Sequence, residues 1–300
     1  MSEPDGQRER SWIEALEQAD ARLEPSSEES DTAISGEAMT LAEARGLRRG
    51  RGSRLVLLMG EPGTGKTALL VSLWQRMQTA NGLAEHRLAG TRTALGFERR
   101  AHGGRIESGH LRERFPPTAD EDAFLLHMRV RPPSGELVEL VFADLGGGVF
   151  ERVREGRPLL QELPLAAHAD RFVVVLDGEA LSTPGESEIA ATRALRQILA
   201  LRGSGAVRAS ARVAIALTKA DALTAAGERA VRRHEPHLLS TVRGVDPETT
   251  SVRTALPGLA AEPAGLGELV RWLCSGERHE TIPAPAAELE PGRTNVGYEL

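Results

Sequence analysis

The chain carries 43 acidic against 37 basic side chains over 300 residues, a net charge of -6 with a pI near 5.8, which argues against a general nucleic-acid binder. Aromatic residues make up only 3% and Tyr298 is the sole tyrosine, so stacking surfaces for single strands are not provided, while 40% hydrophobic residues suffice for a globular core. Length alone leaves open one large domain or two small ones. The lone Cys274 excludes an intramolecular disulfide and, within the apolar pattern Leu266, Leu269, Val270, Trp272, Leu273, reads as a core residue rather than a nucleophile. The charged start MSEPDGQRER and the lack of an apolar run near the roughly 20 residues that span a bilayer predict neither signal peptide nor membrane span. A cytoplasmic location is the expectation.

Residues 1–50 read as a partly disordered N-terminal appendage. Trp12, Ile13, Leu16 and Leu23 give one short amphipathic helix, and the polar run Pro25–Asp31 follows. The basic stretch Arg45–Arg54 reads as a solvated linker in preference to a membrane or RNA contact. Leu55–Met59 is then an apolar run of strand length, and Leu69–Gln78 a helix. Between them GEPGTGKT, from Gly60 through Glu61, Pro62, Gly63, Thr64, Gly65 and Lys66 to Thr67, fits G-x-x-x-x-G-K-[ST] in the strand–loop–helix context that the motif requires. The glycines let successive N–H groups point at phosphate oxygens beside the positive helix end, which Ala68 continues. Lys66 is placed to neutralise β and γ phosphates, and Thr67 to offer its hydroxyl to Mg2+.

The segment from Leu83 to Asp122 is too long for an ordinary connection. Ala123–Val130 and Leu137–Phe142 are strands joined directly by the turn Arg131–Glu136, which predicts an antiparallel hairpin at one edge. Strands Arg171–Leu176, Arg212–Leu217 and Thr250–Thr254 then alternate with helices Glu186–Leu201 and Ala225–Val242. The pattern predicts an α/β fold of the P-loop NTPase type, a mostly parallel six-stranded sheet with one antiparallel edge strand and helices on both faces. The domain is expected over 51–277, with 278–300 a flexible C-terminal tail.

Three later motifs bear on the nucleotide. Asp144-Leu-Gly-Gly147 is a D-x-x-G arrangement at a strand end, placing Asp144 beside the phosphate loop for Mg2+ and the Gly147 N–H near a γ phosphate. Thr218-Lys219-Ala220-Asp221, after the fifth strand, resembles the N-K-x-D guanine motif of GTPases with Thr in place of Asn. Thr254-Ala255-Leu256, after the sixth, resembles the short Ser-Ala segment that backs guanine O6 in those proteins. Their order across residues 54 to 275 resembles the small-GTPase fold of the TRAFAC class. HRLAGTRTALGFERRA (86 to 101) and VFADLGGGVFERVREG (141 to 156) further resemble the bacterial double-GTPase group of the second type, found in multi-gene signalling or conflict (phage-defence) systems.

The resemblance implies a GTP-binding switch using GTP/GDP and Mg2+, with a protein partner at its switch regions. Asp221 would accept the N1–H and N2–H of guanine, which adenine cannot match, while Lys219 lies along the base. The long segment 83–122 takes the place of switch one. Thr118 is the candidate γ-phosphate sensor, with Thr91 and Thr93 as rivals, so Thr67, Thr118 and Asp144 are the metal candidates and Lys66, Thr118 and Gly147 the catalytic ones. Arg87, Arg92, Arg99, Arg100, Arg105, Arg112 and Arg114 in this segment read as a partner surface or a salt-bridged helix face, with Arg99 and Arg100 the candidates for an arginine acting in cis. Gly148 stands where Ras-like enzymes carry a glutamine that orients water, so hydrolysis is expected to be slow or partner-assisted. Two alternatives stand beside this reading. One is a P-loop ATPase or small-molecule kinase with Asp177 and Glu179 as Walker B, the other a non-hydrolysing adaptor.

Overall fold

Arg54–Met59 (β1) is buried at every position, as befits a strand covered on both faces. The computed structural model describes residues 36–104, 124–205, 211–244, 246, 249–254 and 265–276. Thr118, Ala255, Leu256 and residues 1–35 and 277–300, on which several expectations fall, lie outside them. Six further strands join β1: β2 (Arg87–Gly90), β3 (Phe124–Arg131), β4 (Val138–Asp144), β5 (Arg171–Asp177), β6 (Arg212–Thr218) and β7 (Thr250–Arg253). They form one sheet in the order β2-β3-β4-β1-β5-β6-β7. From β4 to β7 every pairing is parallel, whereas β2 with β3 and β3 with β4 are antiparallel.

The α/β class and the antiparallel edge are as expected, but the sheet has seven strands where six were expected. The added strand, Arg87-Leu-Ala-Gly90, is four residues long, only partly buried and interrupted by a register shift. A short, charged edge strand carries no periodicity to read.

Side chains along the central strands alternate between two cores with the two-residue period of extended chain. Leu55, Leu57, Met59, Phe172, Val174 and Leu176 face one core, and Val56, Leu58, Val173 and Val175 the other. The first is closed by helices α4 (Gly148–Arg154), α7 (Ser187–Gly203) and α8 (Ala225–Arg243), through Phe150, Ile198 and Val231 among others. The second is closed by α2 (Lys66–Met77), α3 (Ala94–Gly104) and α9 (Leu266–Cys274). Trp74 of α2 stacks on Phe97 of α3 at 4.7 Å between ring centroids. Cys274 packs against this second core, and burial pushes its thiol up to about 12 despite nearby Arg54 and Arg171. Two short helices are α5 (Leu159–Glu162) and α6 (Gly178–Ser182). Among the described residues no helix is long and apolar enough to cross a membrane.

The basic stretch expected to be a linker is largely a helix, α1 (Leu41–Arg51). Thr40 and Glu43 form a capping box at its start, and Gly52, at φ 65°, ends it. Leu47 is buried, and Arg48 reaches the buried Asp170 at 2.7 Å. The other oxygen of Asp170 accepts the Leu55 N–H at 2.8 Å, so one carboxylate fixes both the helix and the start of β1.

A second buried network fixes the entry to α3. Thr91 donates its hydroxyl to the His127 carbonyl at 2.5 Å, Thr93 accepts the His127 N–H at 2.8 Å, and the Arg92 N–H donates to Nδ1 of His127 at 3.0 Å. Nε2 is thereby left to donate to Glu139 at 2.7 Å, and Arg129 donates to the other oxygen at 2.7 Å. Burial alone would raise the pKa of Glu139, but the hydrogen bonds from His127 and Arg129 and the charge of Arg129 outweigh it and hold the carboxyl at about 2.

Asp170→Ala should destabilise the fold by about 3–5 kcal/mol in urea unfolding, because it strands Arg48 and the Leu55 N–H, while Thr40→Ala should cost about 1 kcal/mol. The folded pKa of Glu139 lies below its ordinary 4.5, so its contribution is complete above that value and is lost as pH falls toward about 2. Glu139→Gln should therefore lower stability at neutral pH and flatten the acid limb of a stability–pH profile.

Candidate functional site

The C-terminal ends of the parallel strands converge on the loop between β1 and α2, the edge at which open α/β sheets bind ligands. Gly65, at φ 90°, turns the chain into α2, and a side chain there would meet Thr218 at 3.2 Å. Lys66 is buried and donates to the carbonyls of Gly60 at 2.7 Å and Glu61 at 3.1 Å, with its ammonium 5.7 Å from the Phe150 ring centroid. The Thr64 hydroxyl donates to the Glu61 carbonyl at 2.9 Å.

Asp144, the last residue of β4, is fully buried beside this loop. One carboxylate oxygen accepts the Thr67 hydroxyl at 3.3 Å, and the other accepts Nε of Arg100, on α3, at 2.8 Å. Thr67, in the first turn of α2, and Asp144, at the end of β4, both offer oxygen ligands, a pair that suits a hard cation which keeps most of its own waters. Among the described residues no group of three or more His, Cys, Asp or Glu forms a fuller metal cage. Gly147 lies against Pro62, and a Cβ on it would overlap the Pro62 backbone. The D-x-x-G segment thus touches the phosphate loop at both its ends.

Toward β6 the remaining motifs join the same edge. The Thr218 hydroxyl lies 2.6 Å from the Thr64 carbonyl and 3.2 Å from that of Leu176 in β5. Thr254 donates its N–H to the Leu217 carbonyl at 2.7 Å and accepts the Ala220 N–H at 3.1 Å. Asp221 is exposed on the short 3-10 turn Ala220–Ala222. Lys219 has φ 50°, and its ammonium donates to Asp177 at 2.8 Å and Glu179 at 3.0 Å. Burial opposes that charge, but the two carboxylates outweigh it and hold the ammonium above its ordinary range.

This geometry bears on the alternatives. Asp177 caps α6 by accepting the N–H groups of Glu179 and Ala180, and its other oxygen is engaged by Lys219. The carboxylate in contact with Thr67 is Asp144. Thr91 and Thr93 are spent on the His127 backbone. Of the seven arginines, Arg99 pairs at the surface with Glu37 at 2.6 Å, Arg100 reaches Asp144, and Arg105, Arg112 and Arg114 lie outside the described residues. Gly148 is buried as the first residue of α4.

One feature of the loop had no signal in the sequence. Glu61 is buried, with one oxygen 2.6 Å from Arg154 of α4 and the other 3.0 Å from Arg193 of α7. It occupies an unrestricted position of the motif, and in a chain this rich in arginine no spacing singles out its partners.

No protein of curated function matches the chain. Among solved structures it is similar to the signal recognition particle receptor SRb-GTP/SRX complex from Chaetomium thermophilum, at 17% identity over 74% of this chain and 97% of that one, TM-score 0.43. It is similar also to the Saccharomyces cerevisiae Ski7 GTPase-like domain bound to GTP, at 16% identity over 74% of this chain and 49% of that one, TM-score 0.40. A third is a bacterial selenocysteine-specific elongation factor, EF-Sec, at 14% identity over 73% of this chain, TM-score 0.39, where the chain spans only 28% of that protein's length. The family model described as Double-GTPase 2 matches residues 54–273, from the first residue of β1 into α9, and the chain belongs to that family.

Proposed function

We propose that this chain is a GTP-binding molecular switch that hydrolyses GTP slowly or with a partner's help. The observation that carries the reading is the Thr218 hydroxyl, 2.6 Å from the Thr64 carbonyl, which joins a phosphate loop to a T-K-x-D turn in one rigid edge. In this reading the backbone from Gly60 to Ala68 cradles the phosphates and Lys66 leaves its carbonyl partners to neutralise them. Thr67 and Asp144, with Thr118 from switch one, hold the magnesium ion, which when bound supplies charge neutralisation at the phosphates. Lys219, Asp221 and the Thr254-Ala255-Leu256 segment take the guanine.

The engagement of Asp177 and Glu179 with Lys219 weighs against the ATPase or kinase reading. Gly148 offers no side chain to align water, so the catalytic group comes from elsewhere in this chain or from a partner at the switches, as with arginines supplied in trans. A non-hydrolysing adaptor is the reading that Gly148 favours second. We place the protein in the bacterial cytoplasm, in a multi-gene signalling or conflict system.

Calorimetry with GTP, ATP and XTP, each with Mg2+, tests this reading. Wild type should prefer GTP to ATP by up to ~10^4, and Asp221→Asn should move preference toward XTP. Equal binding of ATP and GTP, with no response to the substitution, would overturn it. Single-turnover hydrolysis then separates enzyme from adaptor: a slow but measurable rate is expected, and no phosphate release even at long times would favour the adaptor.

A further inference from the structure

We infer that Arg100 is an internal counter-cation for Asp144, which a magnesium nucleotide must displace, so that the contact between α3 and the site differs between the free and the loaded protein. The inference rests on the nucleotide-switch reading above and adds a regulatory element to it.

Arg100 projects from the second turn of α3, and its Nε donates to Oδ2 of Asp144 at 2.8 Å. The side chains are 14% and 0% exposed, so this is a buried pair rather than a surface contact. The guanidinium is held at two more points: Nη1 donates to the Gly96 carbonyl at 3.1 Å, and Cζ lies 4.3 Å from the Phe124 ring centroid. Its neighbour Arg99 pairs instead with Glu37 at the surface, both side chains well exposed.

Asp144 is also the carboxylate in contact with Thr67, through its other oxygen. A divalent ion approached by Thr67 and Asp144 would stand across one carboxylate from a fixed positive charge, in a setting where water screens little. A guanidinium cannot relieve that repulsion by losing its proton. It must move, and its long side chain can swing without disturbing the start of α3, which is anchored independently: Thr93 is bonded to His127, and the Gly96 N–H to the Gly36 carbonyl at 3.0 Å. The Arg100–Asp144 pair therefore opposes magnesium binding while it is closed, and its opening accompanies loading.

The test is a Mg2+ titration of fluorescent GDP and GTP on wild type, Arg100→Ala and Arg100→Gln, with thermal melting of each to confirm folding. Gln keeps a donor without the charge, which guards against a variant that merely fails to fold. Both substitutions should lower the Mg2+ concentration needed for half-maximal tightening by about tenfold. Hydrogen exchange in wild-type residues 97–102 should also rise on adding Mg2+ and GTP. An unchanged or raised Mg2+ requirement in both folded variants would overturn the inference while leaving the nucleotide reading intact. A wild type that binds neither nucleotide at any Mg2+ concentration would overturn both.

Discussion

The hydroxyl of Thr218 ties together the ends of three adjacent parallel strands. It ends β6, lies 3.2 Å from the Leu176 carbonyl of β5, and reaches the Thr64 carbonyl of the loop after β1 at 2.6 Å. Strand ends alone would leave the phosphate loop and the T-K-x-D turn as independent loops, free to drift by the ångström or so that ruins a binding site. One buried hydroxyl, matched by a Gly65 whose missing Cβ leaves room for it, sets their separation. Thr254 extends the same rigidity to β7 through its bonds to Leu217 and Ala220. This also gives the Thr of T-K-A-D a physical role of its own at a position where the guanine motif of GTPases carries Asn.

At the other end of the loop the cohesion is electrostatic. Glu61 is held by Arg154 and Arg193, Asp144 by Arg100 and Thr67, and Lys66 by backbone carbonyls of its own loop. Buried ions of this kind cost desolvation that only good geometry offsets, and each short contact here brings a different element to the loop: α4, α7 and α3. With Gly147 against Pro62, the segment after β4 meets the phosphate loop at two points. The loop is therefore the place where several helices meet.

Much of this was legible in the sequence, for identifiable reasons. The strands β1, β5 and β6 read as apolar runs because both faces are covered, and the motifs read as fixed spacings at strand ends. The D-x-x-G aspartate was placed beside the loop by its strand position alone, and Asp144 lies there. What escaped was non-local or weakly patterned. β2 is four residues of a partly buried edge, and the arginine partners of Glu61 and Asp144 lie far along a chain in which arginine is everywhere. The helix α1 was legible after all: Thr40 and Glu43 have capping-box spacing and Gly52 supplies the stop, but the run of arginines between them invited the reading of a linker. The pairing of Lys219 with Asp177 and Glu179 is hidden for the opposite reason, since the motifs offer these residues roles in competing nucleotide sites.

The most direct test of the account is a crystal structure of the chain with Mg2+ and a non-hydrolysable GTP analogue. The account predicts the phosphates within Gly60–Thr67, the metal beside Thr67 and Asp144, and the guanine edge on the Asp221 carboxylate, with the Thr218–Thr64 bond intact. A base lying away from Asp221, or phosphates bound outside the loop, would contradict it.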